Sequence, residues 1–390
     1  MIRLRQLRHD ERGASLLYIT TGFMAFFAAT ALAIDVGMLM TARGQAQTAA
    51  DAGALAGAIA LAVDDFDDRS PTGPAVLAAI NTAVANTVLK GTASVEPADV
   101  TFPVAPSGES NRVRVAVFRT AERNNPLSTF IMSVFGMTEA DISARATAEA
   151  APANAMSCVK PFTIPDRWVE HRNPPWTPDS TFDRYDNHGN LLEPADEYIP
   201  RGPRPPYNGY DADQDKGTLL TIRAGNGNNV APSFYWSWSM PDASGTVQTG
   251  ADWYEENIAN CNNWVAHLDD LMTAEPGAIV GPTVSGVEAL IAKDPTAYWD
   301  DDCNCVHSQF GLSSPRVFPI PLYDPEYYAV GVTQGRNADL KMSNWLGFFV
   351  EGHSGNEIYG RITPILGMID GDAGPAPDDG VFPRAVRLVE

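Results

Sequence analysis

Positive charge is scarce in this chain: 27 Lys and Arg stand against 48 Asp and Glu, a net charge of −21 at pH 7. Nucleic-acid binding needs cations to neutralise phosphate, so that partner class is excluded, and a folded domain lying flat on anionic lipid is disfavoured for the same reason. Histidine is sparse as well. His9, His171, His188, His267, His307 and His353 stand apart at polar positions. The H-E-x-x-H pattern does not occur. Gly352-His353-Ser354-Gly355-Asn356 lacks the fifth glycine of a nucleophile elbow, and Gly225-Asn226-Gly227 lacks the third glycine of a dinucleotide loop, with Val230 in its place. No catalytic set emerges, and the expectation is a protein that is not an enzyme.

Cysteines number only four, Cys158, Cys261, Cys303 and Cys305, and four cysteines allow three connectivities. Cys303-Asn304-Cys305 with His307 has the donor types of a soft-metal site, but zinc sites favour C-x₂₋₄-C spacing with two distant partners. Disulfides are therefore expected. A bridge from Cys158 or Cys261 to the Cys303/Cys305 pair would close a long loop and stabilise by roughly 2–4 kcal/mol.

What the sequence does possess is concentrated at its start. Arg3, Arg5, Arg8 and Arg12 lead into Ala14–Ile34, an apolar run with no charge inside it. Hydrocarbon about 30 Å thick needs about 20 apolar residues, so this run is long enough to span. The basic lead places the N-terminus on the cytoplasmic side, because Lys and Arg set the bias while Asp10 and Glu11 count little. Ala31-Leu32-Ala33 offers the competing reading of a cleaved signal peptide, whose apolar region spans roughly 7–15 residues. The run is longer than that and helical pattern continues past it, so a retained single-pass anchor is expected. Asp35 then falls at the outer headgroup level, the alternative being a polar contact to a partner helix in the membrane.

Beyond the run, Leu39, Ala42, Ala46, Ala49, Gly53, Ala56, Ala60 and Val63 recur at alternating spacings of three and four. Such a seam of small residues lets two helix backbones approach closely, though a strong Ala-rich helix former gives the same pattern. One rod of roughly 70 Å from Ser15 to Val63 is predicted at 1.5 Å per residue. It breaks at Asp64-Asp65 and Ser70-Pro71-Thr72-Gly73-Pro74.

The remainder is long enough for two domains at roughly 100–200 residues each. The organisation read from it is a basic lead over 1–13, a spanning and continuing helix over 14–63, a small α/β domain over 64–151, and an irregular β-rich, disulfide-containing domain over 152–390. The fold class is α+β. In the first domain Ala75–Leu89 has helical spacing, Arg112–Phe118 and Ile142–Glu149 alternate as strands, and Asn125–Phe135 reads as a helix. In the second, Pro and Gly become dense, with turn signals at Pro174-Pro175, His188-Gly189-Asn190, Pro203 with Pro205-Pro206, and Gly225-Asn226-Gly227. Thr218–Ile222, Arg316–Leu322, Phe348–Glu351 and Ala385–Val389 read as strands. Phe234–Met240 does too, with Phe234, Trp236, Trp238 and Met240 on one face. The aromatics there are read as core in preference to a partner or glycan surface. Val284–Ala292 reads as a helix with Val287, Leu290 and Ile291 inward.

Asp211, Asp213 and Asp215 alternate as in a calcium loop, yet Gly217 is the seventh residue and Ile222 the twelfth where an EF-hand needs Gly sixth and Glu twelfth. They are weak calcium candidates, a solvated acidic turn leading into the Thr218–Ile222 strand being the preferred reading, and Asp300-Asp301-Asp302 is read the same way. No cofactor is expected otherwise.

Arg12-Gly13-Ala14, the run closing in Ala33-Ile34-Asp35-Val36-Gly37, and the Gln47–Ala58 block with Ala49-Ala50-Asp51-Ala52 and Ala54-Leu55-Ala56-Gly57-Ala58 resemble the N-terminal region of TadG-like proteins of the Tad/Flp pilus-assembly system. Gly136–Ala150 resembles the end of that family's first exported domain. Cys158-Val159-Lys160-Pro161-Phe162, Asn257-Ile258-Ala259-Asn260-Cys261 and Arg384-Ala385-Val386-Arg387-Leu388-Val389 are similar to segments of longer TadG-like chains. Two departures narrow the resemblance. Prepilin-type processing wants Glu five residues after the processing Gly, whereas Tyr18 stands there counting from Gly13. The D-x-S-x-S metal loop of some relatives is left incomplete by both Asp141-Ile142-Ser143-Ala144-Arg145 and Asp242-Ala243-Ser244-Gly245-Thr246. The resemblance implies a non-enzymatic accessory or structural component of pilus assembly, held in the inner membrane with its bulk outside and pilin-like proteins as partners. An exported adhesion module with a weak calcium site on a shared anchor is the alternative.

Overall fold

The computed structural model describes residues 12–389 except 107, 187, 203–205, 226–228, 277–278, 334–339 and 375–380; the side chains of 12, 13, 134, 135 and 333 are also outside the description. Arg3, Arg5, Arg8 and His9, the Pro203 and Pro205 turn, and the Asn226-Gly227 turn therefore lie outside the described residues.

The predicted rod is a single helix, α1, Arg12–Val63. Its Ala14–Thr30 portion is exposed throughout, as an apolar segment without a protein partner must be if lipid is to cover it. Thr20, Thr21 and Thr30 donate their hydroxyls to the carbonyls of Leu16, Leu17 and Phe26 at 2.8, 2.8 and 2.9 Å. The three threonine hydroxyls are thereby kept from facing hydrocarbon unpaired.

Past Asp35 one face of α1 goes into a core. Ala42, Ala46, Ala49, Gly53 and Ala60 are buried, together with Ala50, Ala54, Gly57, Ala58 and Leu61, while Ala56 is half-buried. The covering elements are α2, Pro74–Ala85, which starts on Pro74 where a missing N–H costs nothing, and a sheet of β1 (Val100–Thr101), β2 (Arg112–Arg119) and β3 (Ile142–Pro152). Val113, Val115 and Val117 of β2 point into this core with Ala75, Val76, Ala79 and Ala83 of α2. The small-residue seam, read from sequence as a surface for a second helix, is thus occupied by the chain's own α2 and sheet. The close approach is literal at two glycines. A Cβ on Gly53 would lie 2.9 Å from the Ala79 carbonyl and from the Ala83 Cβ, and one on Gly57 would lie 2.8 Å from a Val113 methyl.

Asn125–Phe135 does not form the α-helix expected of it. Leu127–Ser128 is a short strand, and a 3₁₀ turn, Met132–Phe135, ends on Gly136 at φ 85°. Pro126 and the left-handed Asn124 (φ 52°) break the helical pattern, and a carboxylate far away in sequence fixes the turn, as described below.

The distal part is built around a closed barrel of six strands: β4 (Phe162–Pro165), β5 (Leu219–Ala224), β6 (Phe234–Ser237), β7 (Val317–Tyr323), β8 (Leu340–Ser354) and β9 (Glu357–Ile362). The order around it is β8-β7-β4-β6-β5-β9, and β9 pairs back onto β8, so closure removes the sheet edges. The β7/β4 and β5/β6 pairs are parallel and the others antiparallel. Phe162, Ile222, Tyr235, Ile320, Phe348 and Ile358 fill the interior. Two helices, α3 (Ala251–Ala259) and α4 (Val280–Lys293), add Tyr254, Ile258, Val287 and Leu290 to the same core. On β6 the inward face is the reverse of the one expected: Tyr235 is buried while Phe234 and Trp236 are half-buried. Parallel pairing with β5 and antiparallel pairing with β4 fix the register. Trp238 and Met240, beyond the strand, enter a second apolar cluster outside the barrel. The aromatics are largely core.

The last strand, β10, Arg384–Leu388, was expected in the distal domain but returns to the proximal sheet. It pairs antiparallel with β3 from Arg384↔Pro152 to Leu388↔Ala148. The physical reason is the open edge of β3, whose far half would otherwise present unpaired backbone. The two regions are therefore joined by both Ala151–Ser157 and the chain's end. The fold class is α+β.

Candidate functional site

At the C-terminal end of the apolar run Asp35 is fully buried, with 0% of its surface exposed. Its carboxylate accepts the backbone N–H groups of Phe130, Ile131 and Met132 at 3.0, 2.9 and 2.5 Å. Met132 opens the 3₁₀ turn, where the first amides have no partner within the turn, and Phe130 and Ile131 lead into it. Neither sequence reading of Asp35 anticipated this: the side chain is not simply solvated among headgroups, and its partner is a loop of the same chain.

The other end of α1 is capped from the barrel side. Lys216 Nζ donates to the carbonyls of Val63 and Asp64 at 3.3 and 2.7 Å, where a helix terminus leaves carbonyls unsatisfied and favours a cation. Lys216 follows the Asp211–Asp215 turn. Within that turn Asp211 accepts the N–H groups of Asp213 and Gln214 at 3.0 and 2.9 Å, and Asp215 accepts the N–H of Asp211 at 2.9 Å. The buried Asp215 also pairs with Arg167, whose guanidinium lies 4.6 Å from the Trp176 ring centroid. Two of the three calcium candidates therefore serve the protein's own donors, while Asp213 is exposed. Among the described residues the three carboxylates do not converge as a ligand cluster. A cleft of about 460 Å³ lies here, lined by Phe66 and Arg384 of the proximal region and Arg167, Trp176 and Asp211 of the distal one. Arg384 stacks on Phe66 at 3.8 Å to the ring centroid, so the cleft's cations are engaged on aromatic faces.

Residues 13–62 match Tad, a Flp pilus-assembly TadE/G-like family. The similarity to that family is confined to this N-terminal segment, called the Tad region below. No curated protein and no solved structure matches the chain. The Tad region coincides with α1: the matched residues run through the apolar span, past Asp35, and through the face buried on α2. The basic residues that would orient the Tad helix lie outside the described residues, apart from the backbone of Arg12.

Beyond the Tad region, two segments distant in sequence meet in space. Cys158 and Cys261 are disulfide-bonded across a sequence separation of 103, with Cα atoms 4.5 Å apart. Two residues on from Cys158, the buried Lys160 reaches the carbonyl-rich C-terminus of α3, donating to Ile258 at 2.6 Å and Asn260 at 2.9 Å. Lys293 caps the same end through Ala259. Burial, reinforced by the neighbouring Lys293 charge, pulls the Lys160 amine down from 10.5 to about 7. Between those values the unfolded chain binds a proton that the folded chain releases, so stability should rise with pH across that window and fall as pH drops toward 7. Denaturation midpoints measured from pH 7 to 10 should show this slope, and Lys160→Met should flatten it. An unchanged slope in the variant would assign the effect elsewhere.

The other two cysteines pair with each other: Cys303–Cys305, Cα atoms 5.2 Å apart. The connectivity thus corrects the bridge between distant pairs considered from sequence. The Cys303/Cys305 hairpin (Tyr298–Asp300 with Cys305–His307) closes on itself and is held through Asn304 to the Lys216 carbonyl at 3.3 Å. His307 Nε2 lies 3.7 and 3.9 Å from the two sulfurs and 3.0 Å from an Asp300 oxygen. Donor types for a soft metal are gathered there, with both sulfurs committed to the disulfide.

Sequence reasoning missed one polar centre. Asp166, at the end of β4, is wholly buried and accepts hydroxyls from Tyr198 (3.0 Å), Tyr207 (2.8 Å) and Ser343 (3.1 Å), with the N–H groups of Arg167 and Tyr210 at 2.9 and 3.2 Å. Burial pushes its carboxyl up to about 6 against the lowering effect of those donors. A buried, perturbed acid can mark a catalytic site, but here both oxygens are filled by protein donors. The tyrosine-dense stretch from Tyr198 to Tyr210 was the available signal; the partner strand β8 was not legible from it.

Proposed function

We propose that this chain is a non-enzymatic accessory or structural component of Tad/Flp pilus assembly. It is held in the cytoplasmic membrane by α1 as a single-pass anchor, with the N-terminus cytoplasmic and the rest projecting outward. The observation that carries the reading is the continuity of α1. One helix runs from an uncovered apolar span into the core of the proximal domain, and its last carbonyls are capped from the barrel side. A load or displacement applied in the membrane is therefore delivered to the folded exterior without a hinge.

The Tad match supports the assignment to pilus assembly, and the cofactor-free, non-catalytic reading is supported by the filled coordination of Asp166 and the internal use of Asp211 and Asp215. Because residues 42–60 of the helix are packed within the domain, pilin-like partners in the membrane would meet the exposed faces of the span itself. A clean deletion strain should lose surface pili and regain them on complementation. Normal piliation in the deletion strain would remove the proposal.

A further inference from the structure

A second part of the chain lies level with the outer membrane boundary. The run Ala14–Ile34 is 21 residues, about 31 Å of helix at 1.5 Å per residue, which matches the hydrocarbon thickness. Asp35 therefore marks the outer boundary, and Asp35 is where Phe130, Ile131 and Met132 are tied down. Ala31, one turn nearer the bilayer centre on the same face, is only 4% exposed, while its neighbours Leu32 and Ile34 are exposed. The packing on this face of α1 thus extends one turn below the boundary.

From Asn124 to Thr138 the sequence contains no Asp, Glu, Lys or Arg. Within it Phe130 is 74% exposed and Met137 51%. Among the described residues no large apolar side chain beyond the span is more exposed than Phe130. An exposed phenylalanine is unremarkable alone; one held at the height where α1 leaves the hydrocarbon is placed to enter it.

We infer that the loop Leu127–Met137 is a second membrane contact, inserting Phe130 and Met137 among the outer-leaflet headgroups and upper acyl chains. The inference rests on the reading of α1 as a retained anchor. Asp35 acts as the clamp. Its charge is satisfied by backbone donors, and those donors, belonging to an apolar loop at the membrane surface, are satisfied in return. The contact is apolar, in keeping with a chain of net charge −21 that anionic lipid would repel. With the helix as one attachment and the loop as another, the exterior is held at a set height and rotation above the membrane.

The four native cysteines are paired, so a single introduced cysteine can carry a polarity-sensitive fluorophore in the full chain. The protein is placed in phosphatidylcholine–phosphatidylglycerol vesicles containing lipid with a nitroxide high on the acyl chain. Phe130→Cys and Met137→Cys labels should be quenched several-fold more than a distal Phe310→Cys label, with a Phe26→Cys label in the span as reference. Asp35→Ala should abolish most of the quenching at 130 while leaving that at 26. Since a dye can favour its own entry into lipid, Phe130→Asp with the label at 137 provides a second variant, expected to lose quenching. If 26 is quenched but 130 and 137 match 310, the inference is overturned and the anchor stands. If 26 is not quenched, the anchor reading itself fails. Quenching at 130 that Asp35→Ala leaves unchanged would overturn the clamp.

Discussion

Cys158→Ser should lower the stability of the distal domain by about 4 kcal/mol, while Cys303→Ser should cost less than about 2 kcal/mol. The difference comes from the loops closed. Cys158–Cys261 ties residues 103 apart, and Cys303–Cys305 residues only two apart, so the first removes far more freedom from the unfolded chain. The long bridge has a further consequence that chain entropy alone does not capture. It fixes the start of the segment from which Lys160 reaches the end of α3, so its loss also loosens the hold of β4 on that helix. Denaturant midpoints of the two variants under non-reducing conditions give the comparison directly. Equal losses would mean that the pairing or its role has been misassigned.

A comparable effect is expected on α1, with opposite signs at a glycine packed on α2 and at one that is not. Gly57→Leu should prevent the proximal domain from folding, and even Gly57→Ala should cost about 1–3 kcal/mol by overpacking. The added methyl would sit 2.8 Å from a Val113 methyl, 3.1 Å from the Ala75 carbonyl and 3.1 Å from the Ala79 Cβ. The backbone oxygen cannot give way without moving α2. Gly44→Ala on the same helix meets nothing within 4 Å and should stabilise by about 0.5–1 kcal/mol through helix propensity. Thermal melts of the three proteins would test the pair of signs, and a stabilised Gly57→Ala would contradict the packing described.

The contrast between those glycines also shows what the sequence could and could not reveal. Length and lack of charge made the span legible, and the Ser70–Pro74 cluster made the end of α1 legible, because both depend on local chemistry. Strands β2 and β3 were readable from alternation for the same reason. The seam from Ala42 to Ala60 announced close packing but not with what, since small residues suit any backbone that comes near. Asn125–Phe135 carried a helical pattern that lost to a carboxylate at Asp35, a contact across roughly a hundred residues that no window of sequence contains. Barrel closure through β8 and β9, the return of β10 to β3, and the five-donor cage of Asp166 are long-range in the same sense. The face of β6 was misread because its register is dictated by β4 and β5, not by the strand's own aromatics.

External proteolysis of spheroplasts, followed by mass determination of what remains in the membrane, bears most directly on the continuity of α1 from lipid to folded core. The account predicts an uncleaved chain in the membrane fraction, which protease shortens from the outside to a fragment retaining Ala14–Ile34 and the N-terminus. A freely soluble chain beginning near Ile34, or an exterior fully protected from protease, would contradict it.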